Sequence, residues 1–163
     1  MKSLAKVFLP CFGMLLVVQS MTASELATKK TLTLEIAKQV AAAAEKEAQK
    51  NQWNMFIVIL DDGGNLMYVE RMDDSQLGSL EVALGKAKSA LFFKRPTKMF
   101  EDATVKSGYT PILKLPNAMP IEGGIPLVVD GKYIGAIGVS GGTPQQDGQT
   151  AQAGVNAFPS IIK

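Results

Sequence analysis

The sequence contains no histidine, and its single cysteine is Cys11. Without histidine, one chain cannot build a Ser-His-Asp triad, an HExxH-type zinc site or any other histidine-ligated metal centre. Cys11 lies inside the only long apolar run, Val7 to Val18, which follows Lys2 and Lys6 and precedes a small or polar stretch, Gln19 to Ser24. That order is the pattern of a secretory signal peptide, too short and wrongly flanked for a transmembrane anchor. Cleavage is expected after Ala23, with Ser20 as the alternative. The mature chain would then have no cysteine, and so no disulfide, thiolate nucleophile or cysteine metal ligand.

Charge of either sign in excess is missing too. The first 23 residues hold two of the 17 basic residues and none of the 15 acidic ones, so residues 24–163 carry no formal net charge. The basic character of the whole chain therefore gives no ground for nucleic-acid or anionic-membrane binding. A chain of 163 residues is long enough for one domain with a real core and too short for two comfortable ones. The expected organisation is a signal over 1–23 and a single domain over 24–163.

What remains is strongly patterned. Leu34, Ala37, Ala41, Ala44 and Ala48 recur at helical spacing, widened by Ile36 and Val40, and predict a helix over 32–51 capped by Thr33. The continuous apolar run Met55 to Leu60 predicts a strand covered on both faces, and Asp61-Asp62-Gly63-Gly64-Asn65 a turn into an alternating strand to Arg71. The aspartates lack the ligand spacing and closing glutamate of a calcium loop. Leu80, Ala83, Leu84, Ala87 and Leu91 predict a helix from Ser79 to about Phe93, with Lys86 and Lys88 at its edge or in solvent. Pro96 ends it. A short helix over about 97–106 follows, and then a proline-containing extended loop from Tyr109 to Asn117.

The central stretch runs from Met119 to Gly142. Ile125 to Val129 and Tyr133 to Val139 read as a hairpin through Asp130-Gly131, a pair suited to a type I′ turn. Gly135, Ala136 and Gly138 leave the second strand nearly bare, open to a helix, a ligand or another backbone. A last helix is expected from about Gln145 to Phe158, with Asp147 in its first turn. The order α-β-β-α-α-β-β-α predicts an α+β domain with an antiparallel sheet of two hairpins flanked by helices.

No catalytic motif emerges. The glycine pairs fit neither GxxxxGK[ST] nor GxGxxG, and Ser140 does not stand in a GxSxG elbow. Glu122 reads as a general acid or base, or as a solvated loop carboxylate. The N–H groups of Gly123 and Gly124 read as an anion cradle, or as part of a turn or bulge. Met72, Met119 and Tyr109 sit in loops and are the leading residues for an axial contact to haem iron when histidine and cysteine are absent.

Seven blocks in order carry a resemblance: Leu60-Asp-Asp-Gly-Gly-Asn-Leu66, Glu70-Arg-Met-Asp73, Lys86-Ala-Lys-Ser-Ala90, Arg95-Pro-Thr97, Glu122-Gly-Gly-Ile-Pro126, Ile134-Gly-Ala-Ile-Gly-Val-Ser-Gly141, and Gln146-Asp147 with Ala151 and Gly154. From about Leu32 to Phe158 the chain resembles the GlcG/HbpS family, which is related to the C-terminal domain of PduO-type proteins. The resemblance implies a homo-oligomer that binds haem or another tetrapyrrole. With the export signal, it implies a periplasmic or secreted protein of haem or iron handling. Loops carrying Met72, Tyr109, Met119, Gly123, Gly124 and Pro126 would line the site, and Lys86 would neutralise a propionate. The family's histidine-ligated members are no guide to coordination here. The alternative is a small enzyme or enzyme accessory acting on an organic acid or aldehyde through Glu122, Lys86 and Asp147.

Overall fold

Thr33 caps the first helix as expected, its side-chain oxygen accepting from the Ile36 N–H at 3.3 Å. The computed structural model describes residues 24–162, so the expected signal over 1–23, with Cys11, lies outside the described residues. The elements are α1 (Leu34–Lys50), β1 (Phe56–Asp61), β2 (Leu66–Arg71), α2 (Ser79–Phe92), α3 (Lys98–Val105), a 3-10 turn (Thr110–Lys114), β3 (Gly124–Val129), β4 (Lys132–Ser140) and α4 (Pro144–Ile161). All strand pairings are antiparallel, in the spatial order β2-β1-β4-β3. The α+β architecture is the one that the alternation of periods predicts.

Two hairpins meet at the centre of the sheet, where β1 pairs with β4. The hairpin turns follow from local chemistry. Asp130 and Gly131 have φ of 50° and 72°, the left-handed pair of a type I′ turn. In the β1–β2 turn, the Asp61 Oδ1 accepts from the N–H groups of Gly63 and Asn65 at 2.9 and 2.8 Å. Burial opposes ionisation of Asp61, but hydrogen bonds from the Asn65 side chain and from the backbone of Asn65 and Gly63 outweigh it, and its pKa falls below the ordinary 3.8. The folded chain therefore holds fewer protons in acid than the unfolded one. This stabilisation is present above pH 3.8 and is lost as pH falls through the lower folded value. Asp61→Asn is expected to flatten the acid limb of a plot of urea midpoint against pH.

The sheet is covered on both faces. Ile57, Ile59, Ile137 and Val139 meet the small-residue faces of α1 and α4, while Phe56, Val58 and Leu60 meet Ala83 and Ala87 of α2. The helices approach closely because they are built from small residues. A Cβ on Gly138 would stand 2.1 Å from the Ala83 carbonyl oxygen, so the bare strand serves to admit α2.

Three details depart from expectation. Leu34 is 49% exposed at the start of α1, and the buried stripe is Ala37, Val40, Ala41, Ala44 and Ala48. The loop from Tyr109 contains the 3-10 turn, with Ile112 turned inward. The last helix runs on to Ile161 through Pro159, and Ile161 and Ile162 pack against the α1–α4 core.

Candidate functional site

Lys86 is the largest correction to the sequence reading. It is expected at the edge of its helix or in solvent, yet its side chain is 1% exposed. Its Nζ donates to Asp147 Oδ2 at 2.6 Å and to the Val139 carbonyl oxygen at 3.1 Å. The other Asp147 oxygen, Oδ1, accepts from the Gly142 N–H at 2.9 Å. The pair thus ties α2 to β4 and to the start of α4. Burial pulls Lys86 below its ordinary 10.5 and pushes Asp147 above its ordinary 3.8, against the hydrogen bond and charge attraction that each supplies to the other.

Gly123 lies directly over this pair. Its φ is 127°, and a Cβ there would come within 2.9 Å of the Asp147 Cβ and 3.0 Å of the Lys86 Nζ. Gly124 passes so near α2 that a Cβ would stand 2.2 Å from the Lys86 carbonyl oxygen. Thr97 fixes this segment from the other side: its Oγ1 accepts from the Gly124 N–H and its N–H donates to the Gly124 carbonyl, both at 2.9 Å. The Gly124 N–H is therefore spent inside the protein and does not serve an anion cradle.

Outside the glycines a cleft of about 400 Å³ opens between the start of β3 and α4. Glu122 and Lys98 supply its charges, Pro96 and Ile125 its apolar wall, and Gln145, Gln149 and Gln152 its α4 wall. Glu122 is not a solvated loop carboxylate: its side chain is 17% exposed, and its main-chain N–H donates to Glu101 Oε2. Its Oε2 is sealed from solvent, has no directed hydrogen bond among the described residues, and faces the Lys98 Nζ at 3.2 Å. Glu122, and then Asp102, hold the half-exposed Lys98 ammonium above its ordinary 10.5.

The geometry brings Lys86, Glu122, Gly123 and Gly124 together around Asp147. It does not bring in the other sequence candidates. Pro126 is buried two residues along β3, opposite Ala136. Met119 packs on α2, where a Cβ on Gly85 would meet its Cε at 2.6 Å, and its N–H donates to Ser89 Oγ at 3.0 Å. Tyr109 is 57% exposed beyond α3. Met72 follows the edge strand β2 and packs against the α1–α4 core, while Glu122 precedes the opposite edge strand β3. Three strand spacings, about 14 Å, separate those edges.

Sequence reasoning missed Lys98, Thr97 and Gly148. Gly148 had a signal: it stands inside a helix, where glycine is unfavourable by about 1 kcal/mol. The reason is the Glu122 carboxylate, whose Oε1 would lie 2.4 Å from a Cβ at that position. Among the described residues, no group of three or more histidine, cysteine, aspartate or glutamate side chains is placed to hold a metal ion, and no helix is long and apolar enough to cross a membrane.

Comparison with known proteins agrees with this architecture. The family model described as haem degrading protein HbpS-like matches residues 32–156. The chain belongs to the HbpS-like family. GlcG of Escherichia coli K12 is 42% identical over 113 residues, covering 69% of this chain and 84% of GlcG. The crystal structure of Klebsiella pneumoniae ORFY superposes with a TM-score of 0.76 at 32% identity, covering 85% of this chain and 99% of ORFY. The PduOC–haem complex superposes with a TM-score of 0.70 at 31% identity, covering 78% of this chain and 95% of that one. The HbpS-like match thus spans all four strands and the cleft residues from Pro96 to Gln152.

Proposed function

We propose that this HbpS-like protein is exported to the periplasm or beyond and binds haem or a related tetrapyrrole as a homo-oligomer, in haem or iron handling. The observation that carries the reading is the haem-bound relative PduOC, which shares the fold at 31% identity. Export rests on the N-terminal pattern of Lys2, Lys6 and the apolar run 7–18.

The residues present suit a flat amphipathic macrocycle better outside the cleft than in it. The cleft sets an ion pair and three glutamine side chains beside its small apolar wall, and it holds none of the Met72, Tyr109 or Met119 donors. The stretch from α3 to β3 instead exposes Met99, Val105, Tyr109, Leu113, Leu115 and Ile121. Lys106 and Lys114 are exposed along the same stretch and would neutralise propionates. Of the three candidate donors to iron, only Tyr109 is largely exposed, and its phenol oxygen would take the role that histidine cannot. Bound haem would supply redox chemistry to this surface.

Haemin titrated into the purified protein is expected to give a saturable Soret shift. Tyr109→Phe is expected to move the band and weaken binding, whereas Met72→Ala leaves both as they were. A flat titration with the oligomer intact on size-exclusion chromatography would remove the haem reading.

A second reading is favoured by the cleft itself: an enzyme or accessory taking a small organic acid or aldehyde at Glu122, above Lys86 and Asp147. A thermal-shift screen of metabolites tests it, since a ligand raises stability with the logarithm of its excess over Kd.

A further inference from the structure

The cleft beside Glu122 presents two opposite charges in contact: the Lys98 ammonium is half-exposed, and the Glu122 Oε2 behind it is sealed from solvent, so a ligand reaches Oε2 only when Lys98 turns aside. The Glu122 carboxylate is fixed in place: its main-chain N–H is held by Glu101, and its side chain fills the notch left by Gly148, where a Cβ would lie 2.4 Å from Oε1 and 2.7 Å from Cδ. Its Oε2 has the Lys98 ammonium at 3.2 Å as its charge partner. Lys98 is free to turn away, because it is 46% exposed and also lies 3.4 Å from Asp102 Oδ1. One charge is therefore anchored, and the other is half-exposed and within reach of a second carboxylate, Asp102, which it shares with Lys106 at 2.8 Å.

We propose that this cleft binds a small zwitterion of the α-amino-acid type, its ammonium on Glu122 Oε2 and its carboxylate on the Lys98 Nζ. The argument is one of charge balance. A zwitterion exchanges one internal ion pair for two and leaves the net charge of the cleft unchanged. An acid alone meets Lys98 but is repelled by the anchored Glu122. An amine alone displaces Lys98 from Glu122 and offers nothing in return. The volume of about 400 Å³ falls in the range of small-ligand sites. Pro96 and Ile125 give an apolar side chain a wall, and Gln145, Gln149 and Gln152, spaced four and three apart, face it from α4. Gln149 is steadied from behind by Glu47, which accepts from its Nε2 at 2.7 Å. This inference rests on the small-ligand reading of the cleft and is independent of haem.

Three isosteric probes test it by thermal shift and calorimetry on the purified protein: L-leucine, 4-methylpentanoate, which lacks the ammonium, and 3-methylbutylamine, which lacks the carboxylate. Glycine and L-glutamine complete the panel. A saturable rise in Tm is expected with an amino acid and not with either single-charge isostere. Glu122→Gln and Lys98→Met are each expected to weaken that binding at least tenfold while keeping the ligand-free Tm within a few degrees. Gly148→Ala, which evicts the Glu122 carboxylate from its notch, should do the same from a residue that carries no charge. If no amino acid shifts the Tm, or if the shift survives Glu122→Gln, the zwitterion site is wrong. A shift with 4-methylpentanoate alone would overturn it and leave the small-acid reading standing.

Discussion

Gly138→Ala is expected to destabilise the domain by about 3 kcal/mol or more, a large share of the total stability of a single domain. A Cβ at this position would meet the Ala83 carbonyl oxygen at 2.1 Å and the Ala87 nitrogen at 2.7 Å. Both are backbone atoms in the middle of α2, so no side chain can rotate aside to make room. The helix must lift from the sheet, and Ala83 and Ala87 then lose contact with Val58 and Leu60. Urea unfolding should show a midpoint shift of that size, with Tm falling by about 10 °C. Gly78→Ala is the matched control, because a Cβ there meets nothing within 4 Å and its φ is −64°. A loss below about 1 kcal/mol at Gly138 would mean that α2 is not seated on β4 as described.

Lys86→Met is expected to destabilise by about 3–5 kcal/mol, because it leaves the Asp147 carboxylate buried without its counter-charge. Lys86→Met combined with Asp147→Leu is expected to recover most of that loss. Burial pulls Lys86 down and pushes Asp147 up, which marks desolvation as the dominant cost of the pair. Two apolar side chains remove that cost, at the expense of the bonds to the Val139 carbonyl and the Gly142 N–H. A double-mutant cycle in urea measures the coupling. Losses that simply add would refute the account, since the pair would then contribute no interaction of its own. The double variant also shows what the pair does for Gly123, which lies on top of it. A restored stability with a disordered Glu122–Gly124 segment, read by hydrogen exchange, would mean that the pair positions the cleft wall.

Much of the fold was legible because it is written in local periods. The alternation in 66–71, the unbroken apolar run in 55–60 and the Asp130-Gly131 turn each act within a few residues, and each stands where its chemistry predicts. Family membership was legible for a different reason: Glu122-Gly-Gly-Ile-Pro126 and the stretch 134–141 are sequence blocks, readable without geometry. The site was legible only in part. Glu122, Gly123 and Gly124 sit in one peptide segment and came together. Met72 did not join them, because nothing local tells that β2 and β3 are opposite edges of one sheet.

The sequence by itself determined the four helices and four strands, their order, the α+β class and the absence of histidine chemistry, since these depend on residue type and on neighbours a few positions away. Only the tertiary structure decided which charges are buried and which face the cleft. Lys86 and Asp147 are 61 positions apart, and Glu122 finds its notch in Gly148 on another element. A lysine on a helix is ordinarily solvated. Lys86 is enclosed because α2 closes onto β4 where that strand presents only Ala136 and Gly138, and Asp147 from α4 meets its ammonium there.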